Sequence, residues 1–238
     1  MAKQHKPSIP VLSLFSGAGG LDYGFEQAGF QTVLAIDHNL AATTTFNANL
    51  AGNVARNEDL SAVAPAKIVE WLKDRNESPR GIIGGPPCQG FSVGNTKARP
   101  DDPRNQLPFR YADILEELKR EFDIEFFVFE NVLGLRAPKH RDRLAEITAR
   151  FENAGFSVTQ GEINAVRFGV AQNRRRLFLV GVSKRLHSEA VFQFPCGSDV
   201  IRTVRQVIST LPDPVFRRPG LVPDEINYHP NHWTSPPR

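Results

Sequence analysis

The stretch that decides the fold is IPVLSLFSGAGG, Ile9–Gly20. Ile9–Phe15 is a near-continuous apolar run, as in a strand buried on both faces. It ends in a glycine-rich turn, and Leu21, Phe25 and Ala28 then follow at helical spacing. The same alternation continues outward. Gln31–Asp37 is a second strand, and a third precedes Asp59. Pro65–Asn76 is an amphipathic helix with proline at its start, and Gly81–Gly85 carries a short apolar strand. Leu107–Phe122 is helical, Ile124–Val132 is a strand apolar on both faces, and Pro138–Phe156 is a helix stopped by Gly155. Arg175–Val182 is a late strand. Apolar strands separated by helices predict an α/β fold, a mostly parallel sheet with helices on both faces.

The remaining bounds are permissive. The 238 residues suffice for one sizeable domain, and 40% hydrophobic with 23% charged residues is ordinary for a globular protein. No apolar run reaches the roughly 20 residues of a membrane span, and MAKQHKPSIP lacks a signal core. A cytoplasmic location is therefore expected. Cys88 and Cys196 form no CxxC pair, which argues against a disulfide framework or a structural zinc site. The net charge of +3 is mild, but NRRRLF (Asn173–Phe178) and FRRPG (Phe216–Gly220) are local basic clusters. After about Lys184 prolines accumulate, and only Thr203–Leu211 reads as a helix. The expected division is a catalytic domain over 1–185 and a proline-rich extension over 186–238.

Four sites carry chemistry. Glycines in FSGAGG let a backbone approach a ligand, and Asp37 ends the next strand at about the separation where an acid meets a ribose hydroxyl pair. The G-x-G-G spacing differs from the dinucleotide fingerprint, so a pyrophosphate ligand is disfavoured. In GGPPCQG, Pro86 and Pro87 stiffen the chain just before Cys88. A nucleophile needs such a holder, whereas a merely buried cysteine does not. Gly90, Ser92 and Gly94 then suit a loop that closes over substrate. FENV puts Glu130 at the same sheet edge, as a general acid among apolar neighbours or as a salt-bridged or capping carboxylate. In QNRRRLF, strand alternation sends Arg174 and Arg176 to one face and Arg175 to the other, although a basic surface strand would read alike.

In this order the four pieces resemble the cytosine-5 DNA methyltransferases. FSGAGG looks like their cofactor motif, GPPCQGFS their nucleophile loop, FENV their acid motif and QNRRR their Q-x-R-x-R motif. RNQL (Arg104–Leu107) and NAVRFGVAQ (Asn164–Gln172) match in position, and the resemblance covers Val11–Ser183. It implies a Rossmann-like methyltransferase fold with S-adenosylmethionine as cofactor. Phe15, Gly17, Gly20 and Leu21 would line that ligand, Asp37 would hold the ribose, and Asp59 and Leu60 the adenine. Pro87 and Leu107 would help close the pocket. It also implies a reaction at cytosine carbon 5 in double-stranded DNA. Cys88 would add to carbon 6, protonated Glu130 would hold N3, and Arg176 would bind O2. Arg174 would support the loop and phosphate, and Asn131 would brace the Pro-Cys loop. The base would have to flip out of the duplex.

Three other readings compete. A tRNA cytosine methyltransferase shares this catalytic domain; a non-enzymatic binding protein could keep the fold; an oxidoreductase fits poorly without the dinucleotide spacing. Cys196 and the pair His229 and His232 lack any frame for catalysis or metal binding. The resemblance further implies a target-recognition domain and a final Asn-containing motif beyond the Q-x-R-x-R strand. The expectation is a catalytic half, either one subunit of a split enzyme or a truncated gene, partnered by a second polypeptide that carries target recognition.

Overall fold

Strand β1 (Ile9–Leu14) is central, and β2 (Phe30–Asp37) and β4 (Gly81–Gly84) pair with it in parallel on either side. The computed structural model that shows this describes residues 8–50, 52–87, 103–186, 189–222 and 233–235. β3 (Ala55–Asn57), β5 (Phe126–Asn131), β6 (Phe156–Asn164) and β7 (Arg175–Ser183) complete a seven-stranded sheet of order β3-β2-β1-β4-β5-β7-β6. Progression from β1 outward reverses direction at β4. Such a switch point leaves a crevice at the strand carboxyl ends, where ligands of open α/β sheets bind. One strand breaks the parallel pattern: β7 runs antiparallel to β5, with Glu130 opposite Phe178 and Asn131 opposite Leu177.

Helices flank both faces. Leu34 and Ile36 share a core with Ile68 of α3 (Pro65–Asp74), Ile114 of α4 (Leu107–Glu121) and Phe151 of α5 (Arg141–Asn153). Ala35, between them in the strand, points the other way and packs with Phe46 of α2 (Leu40–Asn49). Hydropathy does not mark α2, whose centre is three threonines; its start is set by the Asn39 side chain, which accepts from Ala42 N at 3.1 Å. α1 (Gly20–Gln27) follows the glycine turn. The core beneath β5 is aromatic: Tyr111 meets Phe129 edge-on at 5.4 Å, and Phe127 lies 4.3 Å from Phe151. Each ring so buried contributes roughly 1.5–3 kcal/mol through area alone.

The chain forms two units, Met1–Ile163 with Arg175–Cys196, and Asn164–Arg174 with Gly197–Arg238. The sheet and α1–α5 belong to the first. Within the second, Arg167 pairs with Asp199 at 2.8 Å and its carbonyl accepts from Ser198 N at 2.7 Å. A Cβ on Gly197 would stand 2.5 Å from Arg167 Cβ, so this close approach requires glycine. The helix expected at Thr203–Leu211 is a single turn, α6 (Val204–Ile208), started by a Thr203–Gln206 capping box. β8 (Val215–Phe216) and β9 (Trp233–Thr234) pair in parallel. Among the described residues no helix is long and apolar enough to cross a membrane.

Candidate active site

The crevice predicted by the strand order is a cleft of about 280 Å³ at the carboxyl ends of β1 and β2. Phe15, Leu60, Pro87 and Leu107 supply apolar walls, and Asp37, Glu58 and Asp59 supply carboxylates. The turn after β1 is wound tightly. Phe15 has φ of 55°, a left-handed value that a bulky L-residue adopts only under strain, and Gly17 and Gly19 follow at 55° and 87°. A Cβ on Gly19 would meet Leu50 Cδ1 at 2.7 Å, whereas Gly17 and Gly20 have open space beside them. Asp37 fastens this turn to β2. Its Oδ2 accepts from Gly17 N at 2.9 Å and its Oδ1 from Asn39 N at 2.9 Å.

Asp59 is fixed by its own loop. Its Oδ1 accepts from the Ser61 hydroxyl at 2.7 Å and from Ser61 N at 2.9 Å. Those two bonds hold its pKa below the ordinary carboxylate value, so it is an anionic acceptor at neutral pH. The loop is held from α4 by Arg110, whose Nε donates to Leu60 O at 2.9 Å and whose Nη2 donates to Val63 O. An aromatic face, apolar walls and carboxylates aimed at donors suit a ligand with a flat base and hydroxyl or amino groups. A nucleoside-bearing cofactor fits that donor set.

At the same edge lies a second cluster. Glu130 and Asn131 end β5, and Arg176 stands next to them on β7. Arg176 Nε lies 2.9 Å from Glu130 Oε1, each side chain being 24% exposed. β4 ends in Gly84 and is followed by Gly85 for steric reasons. A Cβ on Gly84 would lie 2.3 Å from Leu14 O, and one on Gly85 would lie 2.9 Å from Glu130 Oε2. The double glycine therefore lets the chain pass directly beside the carboxyl. Buried Asn131 then donates from Nδ2 to Pro86 O at 3.2 Å while its Oδ1 accepts from Val132 N at 2.8 Å. The acid strand is thus tied to the chain two residues before Cys88.

The structure brings together Phe15, Asp37, Asp59, Leu60, Pro87 and Leu107 in one cleft. Gly17 joins them through Asp37, whereas Gly20 and Leu21 open α1 and are not among the cleft walls. Cys88, with Gly90, Ser92 and Gly94, lies outside the described residues, as do His229 and His232. Arg174 precedes β7 rather than sitting in it; it belongs to the second unit, where its carbonyl accepts from Ala165 N at 2.9 Å. Arg175, as alternation requires, turns away from Glu130 and pairs with Glu162 on β6, lowering the Glu162 pKa. Cys196 is an exposed free thiol. Sequence reasoning missed His38, Glu58 and Arg104, which also line the cleft, and Arg110 beneath it. The first two flank assigned acids and Arg104 begins RNQL, so adjacency was the available signal; Arg110 gave none.

Comparison with known proteins places the chain among relatives of one kind. Type II methyltransferase M.MthTI of Methanothermobacter thermautotrophicus is 35% identical over 231 residues, covering 94% of this chain and 64% of that protein. Type II methyltransferase M.AquIA of Picosynechococcus is 32% identical, covering 85% of this chain and 88% of that protein. A crystallised E. coli prophage protein designated a DNA modification methyltransferase superposes with a TM-score of 0.74 at 30% identity, covering 89% of this chain and 57% of its own. The chain spans 56–64% of the length of the first curated relatives it matches. The family model for C-5 cytosine-specific DNA methylases matches residues 9–233, and the chain belongs to that family.

Proposed function

We propose that this chain catalyses methylation of cytosine carbon 5 in double-stranded DNA. The observation that carries the reading is the Glu130–Arg176 pair at the ends of two adjacent strands, tied through Asn131 to Pro86. S-Adenosylmethionine, when bound, supplies the methyl group for carbon 5. Asp37 would hold its ribose hydroxyls, Asp59 the adenine amino group, and Phe15, Leu60, Pro87 and Leu107 its flat base, beside the turn formed by Gly17, Gly20 and Leu21.

Everything else falls to the chain's own side chains. Cytosine carbon 5 is a poor nucleophile. The Cys88 thiolate adds to carbon 6, which makes carbon 5 enamine-like. Glu130 as an acid holds N3 and offsets the charge that develops on the ring. Arg176, already beside Glu130, binds O2, and Arg174 supports the loop and phosphate. Loss of the carbon 5 proton then breaks the sulfur–carbon bond and frees Cys88. The ring edge is inaccessible in a stacked duplex, so the target base flips out. Residues 1–185 serve as the catalytic domain and 186–238 as an extension. Choice of target sequence comes from a recognition domain outside these elements, in the same polypeptide or a second one.

The test is transfer of labelled methyl to duplex DNA by the chain together with a polypeptide that carries target recognition, with tRNA as the competing acceptor. Cys88→Ala should abolish transfer while cofactor binding by calorimetry stays near the wild-type value, because the thiol meets the base and not the cofactor. DNA carrying 5-fluorocytosine should trap the wild-type protein covalently. Unchanged turnover in Cys88→Ala overturns the nucleophile assignment, and transfer to tRNA alone overturns the substrate.

A further inference from the structure

Most cations of the first unit are spoken for. Lys73 pairs with Glu121, Arg80 with Glu125, Arg120 with Glu116 and Glu117, Arg150 with Asp113 and Arg185 with Asp123. Arg136, Lys139 and Arg141 differ: all three are exposed, and among the described residues none has an ion pair or side-chain hydrogen bond. They fall within six residues, on the segment that leaves β5 directly after Glu130 and Asn131. Two short 3-10 turns, Leu133–Arg136 and Pro138–His140, carry the segment to α5. Fully buried Leu135 pins it to the core, so these charges have a fixed base.

The surroundings leave the three available. Glu162 feels the charge of Arg136 but is already bonded to Arg175. Asp142 is the one acid of the run. Arg143 is occupied by the Phe109 ring at 5.7 Å and by Asn105 O at 3.4 Å. Burial, then the charges of Lys139 and Arg143, lower the His140 pKa, so His140 adds no charge at neutral pH. Holding three cations together against a single acid of the run is unfavourable unless a polyanion offsets them. Among the described residues of this unit, Arg75 and Lys184 are also without an ion pair, and they sit at the opposite edge. Arg75 ends α3, which leads back to the start of β4, and Lys184 follows Ser183, whose N–H donates to Glu125 O just before β5.

We propose that Arg136, Lys139 and Arg141 form a strip that contacts the phosphates of duplex DNA beside the catalytic edge. The inference rests on the DNA reading above and adds the residues that hold the backbone while the Glu130 edge meets the base. Phosphate contacts position a protein without reading sequence, and each one steepens the salt dependence of binding.

The experiment is fluorescence anisotropy of a labelled duplex with the purified full chain between 50 and 200 mM salt. For Arg136→Gln/Lys139→Gln/Arg141→Gln, the slope of log affinity against log salt should become shallower by about 2–3, near one unit per lost contact. Arg75→Gln/Lys184→Gln should keep the wild-type slope. Arg136→Lys/Arg141→Lys, which preserves charge, should also keep it, and this guards against a folding defect in the triple variant. A wild-type slope in the triple variant, or equal flattening by the opposite-edge pair, overturns the strip alone. Absence of any salt-dependent duplex binding by the wild-type chain removes the DNA reading itself, and the strip with it.

Discussion

At the scale of single residues, FENV put Glu130 at the sheet edge but left it open as a general acid or as a salt-bridged or capping carboxylate, and only the ordered set of motifs favoured the acid. Its ion pair with Arg176 was not legible, because register between β5 and β7 depends on an antiparallel pairing that local spacing does not encode. Glu130→Gln should slow methyl transfer by a factor on the order of 10² or more in single-turnover assays. The amide can still hydrogen-bond, but it can neither give N3 a proton nor balance Arg176. Equal rates would move the acid elsewhere. Asp22 gave no signal at all in the sequence, yet it is wholly buried in the first turn of α1. Its Oδ1 accepts from the Thr32 hydroxyl at 2.9 Å, and Ser13 and Thr32 are buried with it. Burial raises its pKa, against the opposing Ser13 and Thr32 hydroxyls. The folded state therefore keeps this proton to higher pH than the unfolded chain does. Its stability is full below the ordinary carboxylate range and falls as pH rises through the elevated pKa. Asp22→Asn mimics the neutral acid. In urea titrations the variant should match wild type near pH 4 and exceed it at pH 8, and a gap independent of pH would refute the linkage.

At the scale of elements, the strand–turn–helix alternation around Ile9–Gly20 gave the α/β sheet and put each motif at a strand end. What escaped was made by tertiary context. β6 alternates weakly because it is only partly buried, and α2 is threonine-rich, so neither carries a clear period. The glycines before the Pro-Pro pair read only as part of a short apolar strand, yet they are required because Leu14 O and Glu130 Oε2 leave no room for a Cβ. Helix α4 has a similar hidden task. Through Arg110 it grips the carbonyls of Leu60 and Val63, on either side of Ser61, and so fixes the loop that offers Asp59 to the cleft. Hydrogen bonds to a charged group contribute about 1.5–3 kcal/mol each. Arg110→Met keeps the aliphatic stem and removes both. S-Adenosylmethionine affinity by calorimetry should fall roughly tenfold or more, since even one such bond exceeds the 1.4 kcal/mol of a decade. Unchanged affinity would show that the loop holds its shape without α4.

At the scale of the whole molecule, affinity and sequence choice have separate sources. Sequence is read by an element that enters a groove and reaches base edges. Among the described residues, α2–α5 each bury side chains in the sheet's two hydrophobic clusters, and α1 buries Asp22 against Thr32 of β2. α6 is a single turn, and β8 and β9 are two residues each. None has the length and the free face to fill a major groove. On the proposed reading, the catalytic edge and the Arg136–Arg141 strip would supply chemistry and backbone contact, which are indifferent to sequence. The 238 residues alone should therefore bind cofactor weakly, bind duplex DNA without sequence preference, and methylate little. Addition of a polypeptide carrying a target-recognition domain of this family, with its final Asn-containing motif, should restore site-specific transfer. The assay compares labelled methyl incorporation into defined duplexes by the purified chain, with and without that polypeptide. Robust methylation of one sequence by the isolated chain would mean that a groove-reading element lies among these residues after all.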